Sequence, residues 1–297
     1  MRRDPNTPGR YWNLYPHRVS VKAQFSEWEG RLDRPVSAGE AVRPGDPSMP
    51  GLTQITQRLN GLLKPEAFSD YCVNGLQIEG KSEVRRIACG VSLSRRFIEA
   101  AIEWEADALL VHHGLFWRGM PHPMVLRAGP IRDRLKLILS HDLSVLAYHL
   151  PLDAHAEVGN NAVLARELGL SNLEPVDVGY AGSVDPPEPV DQFMERLASA
   201  VGQPVEAFRF GTDRVARVAL ISGASGASYP EVVAAGCDTF VNGDRQENLV
   251  REYEESGLNH LFAGHYATER FGPRALGAWC AANLDVETRF IDIPNPI

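Results

Sequence analysis

One order of apolar runs and breakers is used twice in this chain, and that repetition limits the folds open to it more than any single residue does. Ile87 to His112 and Val218 to Asn242 both read as strand, helix, aspartate, strand, with Asp107 ahead of Leu109-Leu110-Val111 and Asp238 ahead of Thr239-Phe240-Val241. Each copy continues with a helical pattern and a short apolar run. Then come a histidine and an acid four residues apart: His149 and Asp153 in the first copy, His265 and Glu269 in the second. Strands separated by helices of this length pair in parallel, because a crossover long enough to hold a helix returns the chain to the same end of the sheet. The expected fold is α/β: a duplicated unit forming two similar, three-layer, sandwich-like halves with mixed, mainly parallel sheets.

Within that frame, Leu52, Ile55, Leu59, Leu62 and Leu63 fall on one helical face, with Pro65 as a stop. Asn74-Gly75 is a turn signal ahead of Leu76-Gln77-Ile78-Glu79, whose alternation suits an edge or hairpin strand. A strand at 86–91, a helix at 94–105 and the Leu109 strand form a βαβ unit, and Pro130 opens the helix that leads to the His149 strand. The Gly-, Pro- and Asp-rich stretch from Gly179 to Pro189 reads as the crossover to the second half. Beyond it the pattern gives a helix through Phe193 and Leu197, a strand at 215–221, and helices at 229–235, 245–256 and 267–283, with a last strand at 286–291. The division expected is 49–178 for the first half and 179–265 for the second, with 266–297 packing back on the first. Gly223-x-x-Gly226 lacks the Lys-Ser/Thr of a phosphate loop and reads as a plain turn.

Residues 1–48 differ from the rest: six prolines, no sustained periodicity, and eight Lys and Arg against six Asp and Glu. A disordered extension is expected there, with the working protein starting at Met49. A net charge of -8 excludes a basic stripe for nucleic acid, and no apolar run reaches the roughly 18 residues of a membrane span. The four cysteines are far apart and form no C-x-x-C, which points away from a zinc knuckle or disulfide framework and toward a reducing, cytoplasmic compartment.

The chemistry-bearing residues gather at the carboxyl ends of the expected strands, where open α/β sheets place their ligands. Val111 runs into His112-His113-Gly114. Adjacent side chains on extended backbone point to opposite faces. This pair therefore serves one ion only if the strand ends there, or else serves two ions on either side. With His149, Asp153, His265 and Glu269 they make four imidazoles and two carboxylates, too many for one tetrahedral zinc. The set suits two divalent ions about 3.5–4 Å apart. Nitrogen and oxygen donors without thiolate fit Zn, Fe, Mn or Co. His17, His122, His141 and His260 read as hydrogen-bonded core residues, and His155 as lying outside the site.

Val111-His112-His113-Gly114-Leu115-Phe116-Trp117, Tyr148-His149-Leu150-Pro151-Leu152-Asp153-Ala154-His155 and Ala263-Gly264-His265-Tyr266-Ala267-Thr268-Glu269-Arg270 closely resemble the Nif-three-like dinuclear-metal family, often labelled GTP cyclohydrolase 1 type 2. Asn74 to Gly80 and the ending Ile291 to Pro296 resemble it too, so the likeness covers residues 50–297. The resemblance implies a duplicated α/β fold and a homohexamer whose metal sites face an inner cavity. Carried over by position, His112 and Asp153 would bind one ion, His113 and His265 the other, and Glu269 would bridge, with His149 adjacent. The implied activity is metal-dependent hydrolysis of GTP or a related small substrate, with His149 and Glu269 catalytic. Phe116, Trp117 and Tyr266 would stack a purine, and Arg118 or Arg270 would meet phosphates. The alternative is a non-catalytic metal-binding scaffold, metal-handling or regulatory protein.

Overall fold

The computed structural model describes residues 50–121 and 124–297, so the extension at 1–48, the start at Met49, His17 and His122 lie outside the described residues. The chain opens with α1 (Leu52–Leu63), β1 (Gly75–Ile78), β2 (Arg86–Ser92), α2 (Arg95–Glu103) and β3 (Ala108–His113). It continues with α3 (Pro130–Ser140), β4 (Ser144–Ala147), α4 (Leu150–Ala154), α5 (Asn160–Glu167) and β5 (Ser171–Val176). Next come β6 (Gly179–Pro189), α6 (Val190–Val201), β7 (Glu206–Arg209), β8 (Arg214–Leu220), α7 (Tyr229–Ala234) and β9 (Thr239–Asn242). It closes with α8 (Val250–Ser256), β10 (Asn259–Phe262), α9 (His265–Glu269), α10 (Phe271–Asn283) and β11 (Glu287–Phe290). Among the described residues, no helix is long and apolar enough to cross a membrane.

Two mixed sheets result, ordered β1-β4-β3-β2-β11 and β5-β6-β8-β9-β10-β7. The duplication is visible in both. In each, three parallel strands (β2, β3, β4; β8, β9, β10) run side by side, and an antiparallel edge strand, β1 or β7, covers the last of them. Side-chain alternation explains the layers of the first sheet. Ile87, Cys89, Leu110 and Leu146 share one core with Leu59 of α1 and Leu276 of α10, while Ala88, Leu109, Val111 and Val145 face Phe97 and Ile98 of α2 and Ile138 of α3. The second sheet is likewise sandwiched, with Phe193 and Leu197 of α6 on one side and Val232 of α7 on the other.

The two copies are not in step at their ligand ends. Ala108, just after Asp107, pairs with Ser144, and Thr239, just after Asp238, pairs with Asn259. Counting forward from those partners places Gly264, not His265, at the position of His149. Gly264 is the inserted step, with a φ of 85°, and it sets His265 one residue further along.

Three sequence expectations are corrected. Gly179 to Pro189 is not a crossover but β6, 11 residues long. Pro186 and Pro187 fall where the ladder to β8 is interrupted, between Ser183 and Glu188, and Pro189 is the last residue of the strand, opposite Arg214. The helix expected over 267–283 is divided at Arg270 into α9 and α10, and that expected over 245–256 is a 3₁₀ turn at Glu247–Leu249 followed by α8. β5 and β7 had no apolar run to announce them, being half-exposed strands at the edges of the second sheet.

Candidate metal centre

β3 ends at the two histidines because the chain turns there. Gln77 Oε1 accepts from the backbone N–H of Leu115 and Phe116 at 2.7 and 3.1 Å, and a Cβ at Gly114 would collide with Gln77 and Ala147. Of the two geometries open to adjacent histidines, the structure takes the first: both rings enter one pocket, centroids 4.7 Å apart. The acids come from α4 and α9, five-residue helices that each follow their strand, β4 or β10, after two intervening residues. In α9 the pair at i and i+4 lies on one face, with His265 Nε2 3.1 Å from Glu269 Oε1. His149 is the N-cap of α4, one position earlier, and turns away from Asp153 toward Asp70.

The structure brings all six sequence-derived residues together. Glu269 lies between three imidazoles: Oε1 is 3.6 Å from His112 Nε2 and Oε2 is 3.2 Å from His113 Nε2, in addition to the His265 approach. Asp153 Oδ2 is 3.6 Å from His112 Nε2. The donor atoms of His112, His113 and His149 lie within 4.8 Å of one another, as do those of His113, His265 and Glu269. His112, His113, His149 and Asp153 come from β3 and the β4–α4 segment of the first sheet, and His265 and Glu269 from α9, which follows β10 of the second.

Behind each imidazole stands a group that fixes its orientation. Nδ1 of His112 donates to Tyr148 O at 3.0 Å, that of His149 to Asp70 Oδ1 at 3.0 Å, and that of His265 to Asp244 Oδ2 at 2.8 Å. Carbonyl and carboxylate oxygens only accept, so each of these Nδ1 atoms carries a proton, and Nε2 is the nitrogen that faces inward, free to offer its lone pair whenever the ring is neutral. His113 Nδ1 pairs with Ser92 Oγ at 3.1 Å. Asp153 is held similarly: its Oδ1 accepts from Asn160 Nδ2 and Ser222 Oγ, both at 2.9 Å, leaving Oδ2 for the pocket. Sequence reasoning missed Asp70, Ser92, Asn160, Ser222 and Asp244. Only Asp244 carried a signal, since it occupies in the second copy the position of His113 in the first.

The electrostatics fit a cation. Burial works against charge on His112, yet the carboxylates of Asp153 and Glu269 outweigh it and lift the imidazole to about 9. His265 is likewise lifted against burial, to about 10, by Asp244 and Glu269. For Glu269, burial is overcome by the imidazoles of His113 and His112, which hold it well below the usual carboxylate range. At His113 burial wins and the value falls. Among the described residues, His112 Nε2 and Glu269 Oε2 are buried without a hydrogen-bond partner, the latter despite its 3.2 Å approach to His113. Lone pairs aimed at one another across a short gap are the arrangement a divalent ion satisfies.

Other expected site residues have structural work. Tyr266 Oη donates to Asp292, and Arg270 donates to Val201 O while lying over Phe271, so neither is available to a purine or phosphate. His155 Nδ1 accepts from the N–H of Glu157 and Val158, a loop brace outside the centre. His260 is a hydrogen-bonded core residue, bound to Asn242, whereas His141 is exposed and caps α3 through Leu137 O, because its helix end faces solvent.

The chain is 39% identical over 252 residues to a GTP cyclohydrolase 1 type 2 homolog of Pseudomonas aeruginosa, an alignment spanning 82% of this chain and 98% of that one. The solved structure of protein ybgI, of unknown function, superposes with a TM-score of 0.78 at 38% identity, covering 83% of this chain and 100% of that chain. A protein of Thermus thermophilus gives a TM-score of 0.77 at 38% identity over the same shares. Residues 50–296 match the family model Duf34/NIF3 (NGG1p interacting factor 3), and with this fold and this degree of likeness the chain belongs to that family.

Proposed function

We propose that this protein is a metal-dependent hydrolase with a dinuclear centre of Zn, Fe, Mn or Co, acting on a nucleotide-like or related small substrate. The observation that carries the reading is the inward convergence of His112, His113, His149 and His265 on the buried Glu269, three of them with Nδ1 already committed to an acceptor. His112 and Asp153 would hold one ion, His113 and His265 the other, with an oxygen of Glu269 for each. Bound divalent ions supply Lewis acidity and bring the pKa of a coordinated water down toward about 7. His149 takes the proton at Nε2, and the Asp70 carboxylate behind Nδ1 steadies the imidazolium that forms. The relatives described as GTP cyclohydrolase 1 type 2 homologs support a nucleotide among the first substrates to try. The same reading carries a homohexamer with inward-facing sites. It also carries a reducing, cytoplasmic setting, which the four buried free cysteines support.

A second reading is favoured by the origin of the ligands. They come from both halves, so the ions would join β3 and α4 to α9 and serve as a structural or metal-handling element. Metal analysis of protein purified without chelator, followed by a hydrolysis screen of loaded and stripped protein and Glu269→Gln, separates the two. Hydrolysis that falls together with metal content supports the enzyme. Turnover that persists in stripped protein refutes the proposed mechanism. No turnover, with a large loss of thermal stability on stripping, supports the scaffold.

A further inference from the structure

One buried amide serves the segments that carry both carboxylates of the centre. Asn160, the first residue of α5, donates from Nδ2 to Asp153 Oδ1 at 2.9 Å and accepts at Oδ1 from the N–H of Gly272 at 2.6 Å. A main-chain N–H only donates, so Gly272 fixes which end of the amide is which and turns Nδ2 to the carboxylate. Gly272 is in the first turn of α10, where an N–H has no partner within its own helix, and Asn160 supplies one from outside. The approach needs glycine: a Cβ there would lie 2.8 Å from Asn160 Oδ1 and 2.9 Å from Leu152 Cγ. Only Arg270 and Phe271 separate that glycine from Glu269.

The amide also stands at a joint of the fold. Ala162, Leu164 and Ala165 of α5 share a core with Val218 and Leu220 of β8, whereas Leu276 and Cys280 of α10 share another with Ile87 and Cys89 of β2. Asn161 accepts from Ser222 N at 2.7 Å and donates to Asp153 O and Val178 O at 3.3 and 3.0 Å. Ser222, just past β8, donates from Oγ to the same Asp153 Oδ1 at 2.9 Å. We infer that Asn160 is a positioning residue for both carboxylates. Its Nδ2 turns Asp153 so that Oδ2 faces the pocket, and its Oδ1 pins the start of α10 and with it the end of α9 that carries Glu269. The Ser222 hydroxyl acts on Asp153 alone. Groups behind a ligand set its direction, and the loss of one typically weakens metal binding by about 10- to 100-fold.

This inference rests on the dinuclear reading above, and its test reads metal binding and stability rather than turnover. Zinc is titrated into metal-free, full-length protein in competition with a chromophoric chelator, for the unmodified chain, Ser222→Ala and Asn160→Ala, each with and without Asp153→Ala. Ser222→Ala is expected to weaken one ion about tenfold and leave the other in place, with the urea midpoint of metal-free protein little changed. Asn160→Ala is expected to weaken both. Beside Asp153→Ala the Ser222 effect should shrink to about twofold or less, since its target is gone, whereas the Asn160 effect on the remaining ion persists. Should Asn160→Ala not fold, Asn160→Asp keeps the acceptor for Gly272 N and loses only the donor, so it is expected to weaken the Asp153 ion alone. A Ser222→Ala loss undiminished beside Asp153→Ala, or matched by a lower urea midpoint, makes the serine merely structural and overturns the inference. So does an Asn160→Ala effect confined to one ion, an Asn160→Asp effect on both, or affinities unchanged throughout. An unmodified chain that binds no zinc removes the metal centre and this inference with it, while a hydrolysis screen without turnover sinks the enzymatic reading alone.

Discussion

Asp107 and Asp238 hold the same position in the two halves and make the same bonds: Oδ2 of Asp107 accepts from the N–H of Arg85 and Arg86, and Oδ2 of Asp238 from those of Ala216 and Arg217, all between 2.9 and 3.1 Å. Each carboxylate thus ties the start of one parallel strand to the start of its neighbour. The aspartates that mark the repeat in the sequence are the staples of the repeated fold.

Replacing either with alanine leaves two strand-end amides to water. Asp107→Ala and Asp238→Ala are each expected to cost about 1–3 kcal/mol, read as a lower urea midpoint at unchanged slope. Because both lie at the strand ends opposite the metal pocket, metal stoichiometry of the folded variants should stay as it was.

Asp244 and Asp70 stand behind ligand-side histidines but differ in their surroundings. Asp244→Asn is expected to weaken metal binding by about 10- to 100-fold in a chelator competition, with a smaller effect on stability. Asp70 is 3% exposed and accepts from Cys72 N, Asn74 Nδ2, His149 Nδ1 and Leu150 N. An amide there must turn its NH₂ toward other donors, so Asp70→Asn should also lower stability by about 2–4 kcal/mol.

Gly223 lies in the left-handed region at φ 64°, and a Cβ there would collide with Glu269 Oε1 and sit 3.3 Å from His265 Nε2. The backbone strain of Gly223→Ala is about 1–2 kcal/mol, while the added methyl displaces two candidate ligands. Metal bound per chain should drop much further than the urea midpoint does; a variant with full metal content contradicts this geometry.

His260 is fully buried between Phe240 and Phe262, with Nε2 bonded to Asn242 Oδ1 and Nδ1 without a partner among the described residues. Burial pushes its pKa down from 6.5 to about 3. The unfolded chain therefore takes the proton first, so this contribution to stability is present above pH 6.5 and is lost as pH falls toward 3. In metal-free protein, the stability gap between the native chain and His260→Phe should narrow steadily from pH 7 to pH 4, measured by urea unfolding at each pH. A constant gap contradicts the neutral, buried imidazole.

The parallel βα units and the six inward side chains were legible because each rests on local pattern: apolar runs, helix-length spacers, and ligands at strand ends. What the pattern could not give was the set of groups behind the ligands. Asp70 reaches His149 across 79 residues and Ser222 reaches Asp153 across 69, and nothing in their neighbourhoods distinguishes them from loop residues. β6 was hidden for a different reason, since prolines argue against a strand unless they fall in a break of the ladder, as Pro186 and Pro187 do, or at its end, as Pro189 does. The apparent equivalence of the two His-x-x-x-acid motifs was also too simple: Gly264 sets the second motif one residue out of step, which is why His265 faces its own acid and His149 faces Asp70.

β11 runs alongside β2 although Glu287 and Arg86 are 201 residues apart. The border of the first sheet is thus supplied by a segment made only after every helix and strand of the second sheet. A growing chain can assemble β1 to β4 early, yet the edge of β2 stays open until the second sheet and α10 have been made, and His265 and Glu269 emerge only shortly before β11. The six candidate ligands therefore come together only after both sheets have been made, in the same stretch of synthesis that closes the first sheet.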